Sequence, residues 1–168
     1  LGLVINAVEL DSDQMPTALD ASATFTAFAV DDYGTYDGAM RLWTKPEGAN
    51  ERSRVSYRDT RVTTENGTVV FNFDVYGLGD GVSSTFDLNG GLTIEGQTYS
   101  VVSSGVMTAV GTSPPASGVL QLRDFARDAA QLTAKSVTTF DLAFLPVGAT
   151  VPTASLPGLF WSDYVEAP

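Results

Sequence analysis

Gly67-Thr68-Val69-Val70-Phe71-Asn72-Phe73-Asp74-Val75-Tyr76-Gly77 is the stretch whose pattern decides the fold. Val69, Phe71, Phe73 and Val75 fall on one parity, and Asn72, Asp74 and Tyr76 fall on the other. Successive side chains of a strand point to opposite faces, so this alternation describes one apolar and one wet face. β-Branched and aromatic residues suit such a half-buried surface, and a glycine marks each end.

Similar segments recur on both sides. Asn66-Gly67 favours the turn type that matches strand twist, which places a strand over 55–64 before it. Further strands are expected over 21–30, 39–44 and 97–110, with Gly105 marking a bend in the last. Asn89-Gly90-Gly91 reads as a tight hairpin between short strands over 82–88 and 92–95. Phe140, Leu142 and Phe144 share one face of a strand over 137–145.

Residues 119–136 are ambiguous. Leu122, Phe125, Ala126, Ala129 and Leu132 recur at helical spacing, which allows one short helix near 122–133. Two strands flanking a turn at 125–128 fit equally well, and the surrounding strands favour that hairpin. Ten to twelve strands with turn residues between them point to an all-β protein. An antiparallel β-sandwich of the jelly-roll or immunoglobulin-like kind is expected, as a single domain over 1–168.

Leu1 to Leu10 is apolar on both parities, as in a strand buried on both faces. One reading makes it a central strand of the domain's own sheet. The other makes it an assembly strand, with Leu1, Leu3, Val4, Ile5 and Val8 filling a neighbouring subunit's groove as a donor strand does. A terminal segment is free to exchange in this way.

Composition narrows the chemistry. Neither cysteine nor histidine occurs, which removes disulfides, thiolate metal sites and the usual catalytic base. No Gly-x-Ser-x-Gly elbow occurs, and no pair of acids sits in a hydrolase motif. A non-enzymatic role is therefore expected. The net charge of −11 disfavours nucleic acid as a partner, and no apolar run approaches a membrane-spanning helix. A start at Leu1 suggests removal of a signal peptide and an extracellular, cell-surface or virion-surface location.

Charge is also segregated. Residues 1–40 hold seven acids and no base, whereas residues 41–61 hold six bases against three acids. Arg52, Arg54 and Arg58 would form a basic ridge along a strand, able to grip carboxylates or the acidic face of another copy. These features together favour a structural subunit of a filament, coat or capsid layer, whose partners are other copies of itself. The competing reading is a carbohydrate-binding module with Trp43 and Trp161 as ligand aromatics. No cofactor is required, although Asp31, Asp32 and Asp37 around glycines make calcium the most suitable metal.

Overall fold

A computed structural model describes residues 1–30 and 34–163. Twelve strands are found among the described residues: β1 (Gly2–Leu10), β2 (Pro16–Val30), β3 (Gly34–Glu47), β4 (Asn50–Thr64), β5 (Gly67–Gly79) and β6 (Ser83–Ile94) come first. They are followed by β7 (Gln97–Ser103), β8 (Met107–Val110), β9 (Gly118–Arg123), β10 (Ala129–Ala134), β11 (Thr139–Leu145) and β12 (Ala154–Phe160). A single 3₁₀ turn, Trp161–Asp163, follows the last strand.

All twelve strands belong to one antiparallel sheet ordered β1-β2-β3-β4-β5-β6-β7-β9-β10-β11-β12, with β8 pairing β6 beside β7. Two packed sheets are not what forms. Most connections between β1 and β7 are only two to five residues long, too short to carry the chain to a second layer. Jelly-roll and immunoglobulin topologies need neighbours that are distant in sequence, and sequential pairing excludes them.

Residues 119–136 form the hairpin β9–β10, in register from Ala129↔Arg123 to Ala134↔Gly118, and no α-helix occurs among the described residues. The helical spacing there arises because Phe125 lies in the exposed turn, where it serves no apolar face. Asn89-Gly90-Gly91 is not a hairpin but the middle of β6, and the turn comes later at Glu95-Gly96. Gly105 does mark the bend between β7 and β8, with a φ of 99°.

The alternation over 69–75 is realised across neighbouring strands. Val75 pairs with Val55 of β4 and Leu88 of β6, and Val69 pairs with Val62 and Ile94. Tyr57 closes an aromatic cluster on this face, with ring centroids 5.1 Å from Phe73 and 6.2 Å from Phe71. These residues remain half-buried, because a lone sheet supplies no opposing layer. A cluster of buried residues lies at the other end of the sheet. There Phe140 stacks at 4.4 Å on Trp161, beside Ala134, Leu132, Leu142 and Leu159.

Candidate ligand-binding face and sheet edge

The face opposite the Val69–Val75 row carries the polar residues, and strand register sorts them into rows. One row runs Asp20–Trp43–Arg54–Tyr76–Asp87 across β2 to β6. The next runs Ser22–Arg41–Ser56–Asp74–Asn89. Neighbouring strands lie about 4.8 Å apart, so members of a row touch, and diagonal partners are within reach of long side chains.

Ion pairs cross these rows. Arg41 forks onto Asp20 through Nε and Nη2, while the Asn6 amide of β1 donates to the same carboxylate at 3.1 Å. Arg54 reaches Asp74 through Nε at 3.3 Å and Nη2 at 3.1 Å. Arg58 donates Nη2 to both oxygens of Asp74, at 2.9 and 3.0 Å, and Nη1 to the Tyr57 carbonyl at 2.7 Å. Arg52 forks onto Glu47. The guanidinium of Arg54 also stands 5.1 Å from the Tyr76 ring centroid.

These contacts set the acids' protonation. Hydrogen bonds from Arg41 and then Asn6 hold the Asp20 carboxyl at a pKa of about 2. Burial pushes Asp74 upward, but hydrogen bonds from Ser56, Arg54 and Arg58 outweigh it and keep the group below the usual carboxylate range. The acids are also withdrawn from solvent. The Asp20 and Asp74 side chains are 17% and 16% exposed, against 58%, 43% and 51% for Arg41, Arg54 and Arg58. A surface built this way presents cations and hides their counterions.

Side chains from β2 to β6 enclose a concavity of about 860 Å³ on this face, lined by Arg41, Arg52, Arg54 and Arg58 with Trp43 and Tyr76. Arg52, Arg54 and Arg58 therefore do lie along one strand, but each already holds a carboxylate of its own chain. The sequence pattern did not expose Asp20, Arg41, Asp74 or Tyr76 as their companions. The only signal was the wet parity of Asp74 and Tyr76 in the 67–77 stretch, and it acquired meaning only through register.

The other candidates are placed differently. Among the described residues β1 is an edge strand paired only with β2, and all nine of its residues are exposed. Two-sided apolarity does not make it a central strand, because only one neighbour pairs with it. Leu1, Leu3, Val4 and Ile5 are each 59–68% exposed, and Val8 is 42% exposed. Trp161 is buried against Phe140 and donates Nε1 to the Ser136 carbonyl at 3.1 Å, so it is a core residue and not a ligand aromatic. Asp37 accepts the Ala27 amide at 2.8 Å. Asp31 and Asp32 lie outside the described residues, and among the described residues no group of three or more acids is placed to hold a metal ion.

No protein family matches the chain, and no curated protein or solved structure is significantly similar to it. The class defined here is accordingly architectural: an all-β chain built as one open antiparallel sheet.

Proposed function

We propose that this chain is a non-enzymatic structural subunit of an extracellular or surface assembly, such as a filament, coat or capsid layer. β-Strand addition to copies of itself would hold that assembly together. The observation that carries the proposal is β1, an edge strand with apolar side chains exposed on both faces. An unpaired edge presents a row of backbone donors and acceptors, and proteins that stay monomeric normally blunt such edges with charge or proline. From Gly2 to Val8, β1 has neither. Added strands would satisfy its backbone, while Leu3, Val4, Ile5 and Val8 would enter a neighbour's surface.

The same reading accounts for the uncovered apolar face. Two copies stacked through Phe71, Phe73 and Val75, with their sheets about 10 Å apart, would form the β-sandwich that one copy lacks. Charge complementarity is the weaker half of the proposal, since Arg52, Arg54 and Arg58 are already paired within the chain. Sedimentation of the full chain should show concentration-dependent growth in mass, and Leu3→Lys with Ile5→Lys should abolish it. A wild-type chain that sediments as one copy at every concentration refutes the proposal.

A second reading is favoured by one observation. Trp43 and Tyr76 share a row of the concave polar face, which is the arrangement a carbohydrate-binding surface requires.

A further inference from the structure

We propose that the concave face of β2 to β6 binds an acidic saccharide. Its pyranose rings would lie against Trp43 and Tyr76, and its carboxylate would meet Arg41, Arg54 and Arg58. This rests on the carbohydrate reading above and adds the charge of the ligand to it.

Three observations converge on that chemistry. First, the chain carries a net charge of −11, yet the four arginines lining the concavity are only balanced by Asp87 in the lining and by their partners Asp20, Glu47 and Asp74. A charge-balanced patch on an acidic protein repels anions less than the surface around it. Secondly, two of those carboxylates sit behind the cations they hold. Arg54 and Arg58 share Asp74, and Asp87 offsets the charge left over, but Asp20 and Asp74 lie deeper than the arginines they hold. Asp20 and Asp74 take the Nε–Nη2 edges of Arg41 and Arg54, so a ligand oxygen would approach the Nη1 edges.

Thirdly, Trp43 and Tyr76 flank Arg54 in one row, on strands two apart. With strands about 4.8 Å apart, the aromatic stations are separated by about 10 Å, close to the length of two pyranose units. Tyr76 is 44% exposed while one side of its ring holds the Arg54 guanidinium, so that side chain is both oriented and open to solvent. Aromatic faces suit the C–H surfaces of sugars, and oriented arginines suit a planar carboxylate. A long polyanion such as nucleic acid fits less well, because acids dominate the chain outside this face.

The experiment titrates the full chain with tetragalacturonate and, separately, with cellotetraose, inorganic sulfate and a short single-stranded oligonucleotide. Binding is read by calorimetry and by tryptophan emission. Trp161 is buried, so an emission change reports on Trp43. The expected result is saturable binding of tetragalacturonate that weakens with salt. It should fall at least about tenfold in Trp43→Ala and in Arg58→Gln, with cellotetraose binding far more weakly. Arg58→Gln leaves Arg54 on Asp74, so folding is preserved and checked by an unchanged melting curve. Equal binding of both saccharides would overturn the acidic preference and leave the carbohydrate reading standing. Binding of neither would end both. Full displacement by sulfate, or tighter binding of the oligonucleotide, would show a simple anion site and overturn the saccharide.

Discussion

Gly90 of β6 stands directly opposite Phe73 of β5, at a φ of 151°, and an added Cβ would lie 2.5 Å from the Phe73 Cβ. The missing side chain lets two strands approach closely at the centre of the sheet. Gly90→Ala should therefore destabilise the protein by about 1–3 kcal/mol or more, through strain and backbone displacement. Gly96 also has positive φ but has nothing within 4 Å of its would-be Cβ, so Gly96→Ala should cost about 1 kcal/mol. Urea denaturation of both variants checks the order, and a Gly96 variant that suffers more contradicts it.

Trp161 anchors the C-terminal end of the sheet. Trp161→Ala should cost about 3–5 kcal/mol, the usual range for removing a buried large aromatic. Trp161→Phe should keep most of the stacking on Phe140 but lose the hydrogen bond to the Ser136 carbonyl, costing about 1 kcal/mol from the bond alone. Thermal unfolding distinguishes packing from hydrogen bonding as the larger contribution.

Acid should unfold the protein by a definable route. The folded Asp20 pKa of about 2 lies below its ordinary 3.8, so its stabilisation is fully present above that ordinary value. It is lost as pH falls from about 4 through about 2. Asp141, lowered chiefly by the Gly158 amide, and Asp80, lowered by the Ser83 and Val82 amides, act in the same direction. The urea midpoint should drop between pH 5 and pH 2, and less steeply in Asp20→Asn. A flat profile would remove these carboxylates from the balance.

Deleting Gly2–Leu10 should leave the remaining strands paired, because β1 contacts the sheet only through β2. Far-ultraviolet circular dichroism should retain its strand signature, with some loss of melting temperature from the Asn6 hydrogen bonds to Asp20 and Ser22. Collapse of the strand signal would make β1 integral to the fold.

How far the sequence could be read depended on how local each cause was. The 69–75 alternation and the Phe140–Phe144 pattern were legible because period two is a property of a single strand. The layer count was not, since it depends on where the connections deliver each strand. Asn89-Gly90-Gly91 misled because two glycines after asparagine resemble a turn, while their actual cause, the close approach of Phe73, lies on another strand. Leu1–Leu10 misled for a related reason: apolarity on both parities records the surface a strand offers, not whether its own chain covers it. The arginine ridge was legible as a spacing on β4. Its counterions, Glu47 on β3 and Asp74 on β5, emerged only once the β3–β4 hairpin brought Glu47 to Arg52 and register placed Ser56 beside Asp74.

Strand order follows chain order from β1 to β7, and most partners along that run are separated by a few residues. Loops that short close at little entropic cost, and local pairing of this kind speeds folding. A chain emerging N-terminus first can thus hydrogen-bond each new strand to the one just made. Residues 1–64 already constitute a four-stranded ribbon before Glu65 is added. The molecule is suited to being knitted during synthesis, row upon row, with the growing margin from β1 to β7 always the most recently translated strand.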